Sequence, residues 1–139
     1  MRILSFQDKI PIYWESTKAC FRKYAVFSGR SSRQEYNGFY LFIFFVSVLL
    51  GMIEPLLIEG LLGVFPYPIF SIIFELAVFL PGWAVMIRRL HDVNRSGWWI
   101  LINLTIIGII PFVYWVCMKK SDEGKNRFGS NPLTGLEVF

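Results

Sequence analysis

Whatever chemistry this chain performs rests on three short polar clusters. The densest is Arg88-Arg89-Leu90-His91-Asp92-Val93-Asn94-Arg95-Ser96-Gly97-Trp98-Trp99. Guanidiniums grip phosphate or carboxylate oxygens through a planar fork, and indole rings settle at the depth of lipid headgroups. Arg88, Arg89, Arg95, His91 and Asp92 therefore make a candidate anion-binding layer. A plainer role competes with it: arginines that halt translocation, with Asp92 neutralising one of them. The second cluster is Gly29-Arg30-Ser31-Ser32-Arg33-Gln34-Glu35-Tyr36. A helix that begins at Ser32 or Arg33 would set Glu35 at its positive end. If these two clusters share one membrane face, Arg30 or Arg33 is expected to pair with Asp92, and Glu35 with Arg88, Arg89 or Arg95. Such pairs can lock helix ends together without any catalytic part. The third cluster, Asn126-Arg127-Phe128-Gly129-Ser130-Asn131-Pro132, has the Gly and Asn of tight turns, and Arg127 joins the same layer if the tail shares that face.

Two polar residues stand inside apolar surroundings. Glu75 lies among Phe70, Ile72, Ile73, Phe74, Leu76 and Val78, about 10 Å into its span at 1.5 Å per residue. A carboxyl there is expensive and needs a cavity or a partner; Ser47, Asn103, Thr105 and Glu75 of a second copy are the candidates. Asn103 is the second such residue. No nucleotide loop, metal-ligand spacing or activated nucleophile accompanies these groups, so no catalytic residue, metal or cofactor is assigned. The adjacent His91-Asp92 is not a spaced metal-binding pair, and one histidine is thin support for acid–base catalysis. Cys20 and Cys117 form no disulfide framework and read as reduced, small apolar residues.

The elements that position these clusters are membrane helices. Over 139 residues the composition is 55% hydrophobic and 17% charged with mean hydropathy +0.50, and both fractions lean away from soluble domains toward lipid. Charges gather in Arg2–Glu35, Arg88–Arg95 and Lys119–Glu137, leaving the intervals nearly bare. The net charge of +4 flanks apolar segments instead of forming a groove-reading helix, which disfavours nucleic acid. Residues 1–36 make an N-terminal segment in which Tyr13, Cys20, Phe21, Tyr24 and Phe27 oppose Glu15, Lys18, Arg22 and Lys23. This two-sided pattern is that of an interfacial amphipathic helix, or of a surface helix packed on the rest of the protein. Met1–Phe27 lacks the uninterrupted apolar core of a cleavable signal.

Residues 37–118 form the membrane domain, with spans expected over about 37–58, 68–87 and 98–118. Ser47 and Gly51 share one face and would allow close helix approach. Glu54 to Pro68 reads as a connection near the bilayer surface, and Pro81 as a kink in the second span. Residues 119–139 are a polar tail too short to form a domain. Lys and Arg stay on the cytoplasmic side. Lys18, Arg22, Lys23, Arg30 and Arg33 precede the first span, none lies in the first connection, and Arg88, Arg89 and Arg95 follow the second span. The N-terminus is therefore expected to be cytoplasmic. A single third crossing would place Lys119, Lys120, Lys125 and Arg127 outside, against the rule. The alternative is a segment broken at Gly108 and Pro111 into two arms that enter and return on one side, sheltered by protein.

In this order, the three clusters resemble the DUF805 family of small bacterial inner-membrane proteins, the YhaH-like group. The matching residues are Phe27-Ser28-Gly29-Arg30 with Arg33, Glu35 and Tyr36; Leu80-Pro81, Trp83-Ala84-Val85 and Arg88-Arg89-Leu90-His91-Asp92; Arg95-Ser96-Gly97-Trp98-Trp99; and Asn126-Arg127-Phe128-Gly129 with Pro132. Asn37 stands where the family usually has Trp. The resemblance implies an inner-membrane location and an important arginine-rich layer. It supplies no reaction, and requires no acid at Glu75.

The expected architecture is all-α and polytopic: three hydrophobic segments, the third crossing, re-entrant or broken, and an amphipathic N-terminal helix. The expected function is a non-enzymatic module whose arginine layer binds anionic lipid headgroups or the acidic segment of a membrane-protein partner. Two others stand beside it: a homo-oligomeric channel or membrane-permeabilising effector lined by Glu75 and Asn103, and a lipid-modifying enzyme using His91, Asp92 and Glu35.

Overall fold

Ser32 opens the longest helix. Its hydroxyl accepts the Glu35 N–H at 3.2 Å, satisfying a donor that the helix itself cannot. The computed structural model describes residues 6–63 and 68–133. The described residues form α1 (Phe6–Arg22), α2 (Arg33–Leu62), α3 (Ile69–Asp92), a 3-10 arm (Gly97–Leu104), α4 (Ile106–Val113) and a π-helical turn (Tyr114–Met118). Beyond the helices, a lone bridge joins Asn126 to Gly129.

At 1.5 Å per residue α2 is about 45 Å long and outruns a ~30 Å hydrocarbon core. The helix runs past the expected end of the span at about residue 58 to Leu62, with Pro55 inside it, and so takes in the first part of the stretch read as a connection. Gly63, with a left-handed φ of 61°, ends the helix. Glu54 gives these turns a purpose. Its buried carboxylate accepts the N–H groups of Phe70 at 2.7 Å and Ser71 at 3.2 Å, and the Ser71 hydroxyl at 2.5 Å. It thereby caps α3 from the neighbouring helix.

α2 and α3 run antiparallel, joined by polar rungs at regular intervals. After the Glu54 cap come Ser47 to Glu75 at 2.7 Å, Tyr40 to the Gly82 carbonyl at 3.3 Å, and Arg88 to Glu35 at 3.1 Å. Gly51 contributes no close approach, since its Cα faces open space; Gly38 does, with Tyr13 of α1 3.0 Å from where a Cβ would stand. Pro81 sits inside an unbroken α3 and does not end it. Proline deprives the carbonyl four residues earlier of its helical donor. That carbonyl belongs to Ala77, and the Tyr24 hydroxyl donates to it at 2.7 Å.

The third hydrophobic segment folds back on itself. The 3-10 arm ends at Leu104, Thr105 takes an extended backbone, and its hydroxyl caps α4 by accepting the Gly108 N–H at 3.2 Å. The break therefore lies at Thr105, ahead of the expected Gly108 and Pro111. Pro111 is carried within α4, and Gly108 is the residue the bend packs against: a Cβ there would lie 2.1 Å from the Ile102 carbonyl. Both ends of the hairpin return to the same place, with Trp99 meeting Trp115 edge-on at 5.3 Å.

α1 ends at Arg22, earlier than the pattern running to Phe27, and Tyr24 and Phe27 lie in the turn and loop beyond it. It packs on α2, with Phe21 edge-on to Phe39 at 5.5 Å and Cys20 fully buried. The core, formed by Cys20, Tyr36, Phe39, Val78, Val85, Leu90, Phe112 and Val116, is concentrated toward one end. Elsewhere Phe44, Phe45, Met52, Leu56, Ile73, Leu76 and Phe79 face outward. Soluble monomers rarely expose so large a contiguous apolar surface, and lipid is the solvent that matches it.

Candidate functional site

The polar clusters converge at the end of the bundle that also holds the core. Arg30 reaches from the loop before α2 to the last residue of α3, where its Nε donates to Asp92 Oδ1 at 2.9 Å. Its other nitrogens donate to backbone carbonyls: Nη1 to Gly124 at 2.7 Å and Gly129 at 3.2 Å, Nη2 to Asp122 at 2.6 Å. Arg89 takes the other Asp92 oxygen through Nη1, and gives Nε to the Val116 carbonyl at 2.9 Å and Nη2 to the Lys119 carbonyl. Asp92 and Arg89 are fully buried. A carboxylate between two guanidiniums, with the remaining donors matched to carbonyls, satisfies the demand of buried charge for pairing and hydrogen bonds. Arg30 and Arg89 are thus committed to holding the hairpin end and the tail.

The tail wraps under this end. His91 lies flat on Phe128, ring centroids 3.9 Å apart, with its Nδ1 3.2 Å from the Gly29 carbonyl. The Asn126 side chain donates to the His91 carbonyl at 2.9 Å, and Arg127 to that of Asn94 at 3.1 Å. Arg33 donates to the Met118 carbonyl at 3.0 Å. The tail, the loop before α2 and the end of α3 therefore occupy one face. Arg95 takes a different neighbour, lying over the rings of Trp99 at 4.9 Å and Trp115 at 4.7 Å, where a guanidinium gains from the ring quadrupoles.

Arg88 is the exception in this layer. It is 1% exposed, its Nη2 donates to Glu35 at 3.1 Å, and its Nε and Nη1 make no hydrogen bond among the described residues. A buried guanidinium with donors to spare carries an energetic debt that an anion can settle. Arg88 and Glu35 line a cleft of 820 Å³ together with Lys23, Ser28, Ser32 and Phe128. The cleft lies between α1, the loop before α2 and the tail. Beneath it Cys20 lies against Glu35, its sulfur 3.7 Å from Oε1. Burial, reinforced by the Glu35 charge, pushes this thiol up to about 12, so it stays protonated.

Of the alternatives expected, Asp92 pairs with Arg30 and not Arg33, and Glu35 with Arg88 and not Arg89 or Arg95. Glu75 finds Ser47 and lies on the wall of an apolar groove of 470 Å³ that includes Tyr40, Gly82 and Trp83. Asn103 is on the hairpin and does not line that groove. Among the described residues no group of three His, Cys, Asp or Glu side chains is placed to hold a metal. Asp92 is occupied by its two arginines. The partners that sequence reasoning missed are mostly backbone carbonyls, at Val116, Lys119, Asp122 and Gly124, which no side-chain pattern reveals. Tyr24 and Phe128 were named in their patterns, but not their partners, the Ala77 carbonyl and the His91 ring.

Residues 24–130 match a family model described as a protein of unknown function, DUF805. The chain is similar to the inner membrane protein YhaH of Escherichia coli strain K12, 37% identical over 116 residues that cover 80% of this chain and 90% of that one. It is equally similar to the inner membrane protein YhaI of the same organism, 37% identical over 119 residues, 82% of this chain and 92% of that one. No solved structure matches it.

Proposed function

The chain belongs to the DUF805 family, and from that premise we propose that it is a non-enzymatic inner-membrane module whose Arg88 cleft receives the phosphate of an anionic lipid headgroup. The observation that carries this reading is the pair of unmatched nitrogens, Nε and Nη1, on a buried guanidinium beside a cleft. It narrows the expectation of a whole arginine layer reading headgroups. Arg30 and Arg89 serve as scaffold, and Arg88 is the reader, with Lys23 at the rim to meet a second phosphate oxygen. The polar end faces the cytoplasm in this reading. Support comes from Lys23, Arg33, Lys120, Lys125 and Arg127, all exposed at or near this end, and from a stretch between residues 54 and 68 without a Lys or Arg.

The test is lipid-dependent stability of the detergent-purified protein. Phosphatidylglycerol should raise its melting temperature, while phosphatidylcholine should not. Arg88→Met combined with Glu35→Gln removes both charges of the pair, leaving no lone buried carboxylate, and should abolish the response. Inorganic phosphate acting as well as the lipid would assign the cleft to a soluble anion. An undiminished phosphatidylglycerol response in the double variant would refute the assignment to Arg88.

A further inference from the structure

We infer that this protein is a one-leaflet wedge that accumulates where the membrane is convex on the side of its polar end. The observation is the shortness of the hairpin's arms. Its 3-10 arm of eight residues descends about 16 Å at ~2.0 Å per residue. Its return through α4 and the π turn rises by a similar distance. The hydrocarbon core is about 30 Å thick, so the tip at Leu104 to Ile107 stops near the midplane. The tip's apolar side chains are exposed, Leu104 by 84%, Ile106 by 86% and Ile107 by 84%, while the Thr105 hydroxyl turns back to donate to the Ile102 carbonyl. Acyl chains are the only surroundings at that depth that suit three such side chains.

The two leaflets therefore meet different numbers of helices. α2 and α3 pass through both. The hairpin arms occupy only the leaflet next to the polar end, and α1 adds its exposed Trp14 and Phe21 at the same level. Each helical arm is about 10–12 Å across, so two of them add area to one leaflet with nothing to match it in the other. Bending toward the wide side relieves that mismatch. Shallow apolar insertion is curvature-sensitive for the same reason. Curved membrane is thus the ligand of this surface, and the inference is independent of what occupies the Arg88 cleft.

Tubules drawn from giant vesicles of phosphatidylethanolamine and phosphatidylglycerol test it. In a Cys117→Ser background, Lys125→Cys labelled with an impermeant dye marks only molecules whose polar end faces outward, and Gly60→Cys marks the opposite orientation. The outward-labelled population should be enriched in the tubule by about twofold or more, and the oppositely oriented population depleted. Ile106→Lys with Ile107→Lys, which draws the tip out of the hydrocarbon, should reduce the enrichment. Equal tubule density for the two orientations of the unaltered hairpin would overturn the inference, whatever the tip variant does.

Discussion

Arg30 and Asp92, 62 positions apart, meet at 2.9 Å with both side chains buried, and this contact joins three parts of the chain. Arg30 stands just before α2, Asp92 ends α3, and the remaining Arg30 donors hold the tail. Arg89 shares the same carboxylate and holds the hairpin end. Removing Asp92 strands two guanidiniums at once. Asp92→Ala should therefore cost about 3–5 kcal/mol, the range for breaking a buried ion pair by deleting one partner. A large fall in detergent melting temperature, with protease cleavage of the tail at Lys125, is the expected result.

Tyr24 supplies the hydrogen bond that Pro81 removes from α3. Tyr24→Phe should lower stability by about 1 kcal/mol, the net worth of one such bond. Pro81→Ala restores the helical donor to Ala77, so in that background Tyr24→Phe should cost less. A double-mutant cycle measured by denaturation in mixed micelles checks the coupling.

Gly108 is fixed by the hairpin bend. Gly108→Ala would drive a methyl into the Ile102 carbonyl, 2.1 Å away, and the clash is with backbone. A loss of about 1–3 kcal/mol is expected, the usual range for overpacking. Gly51→Ala meets open space and should be neutral or slightly stabilising.

With its thiol pushed up to about 12 by burial, Cys20 should resist alkylation. At pH 8 its thiolate fraction is about a thousandfold below that of an ordinary thiol. Mass spectrometry after iodoacetamide treatment should find Cys20 unmodified in the folded protein and modified after denaturation in dodecyl sulfate.

Much of this arrangement was legible in the sequence. Apolar runs, charge-free in α2 and interrupted only by Glu75 in α3, announced the two long helices, and complementary signs anticipated Asp92 with Arg30 or Arg33 and Glu35 with Arg88, Arg89 or Arg95. The basic tail argued against a single third crossing but left both a crossing and a returning segment open; the fold takes the second. The failures have physical causes. Glu54 read as part of a surface connection at the end of the first span, yet its carboxylate accepts hydrogen bonds as a cap on α3, a contact made across 16 positions. Gly108 and Pro111 looked like breakers, while the break belongs to Thr105, whose extended backbone is set by its own side-chain cap on α4. The spare donors of Arg88 depend on which guanidiniums find carbonyls, and that is decided only by the fold.

The tail packs against the loop before α2, an arrangement that requires residues 97–118 to enter and return instead of crossing. Impermeant maleimide labelling in intact cells tests it most directly, with Lys125→Cys and Gly60→Cys compared in a Cys117→Ser background. Gly60→Cys should label in intact cells, and Lys125→Cys only after the membrane is opened. Rapid labelling of Lys125→Cys in intact cells alongside Gly60→Cys would contradict the account.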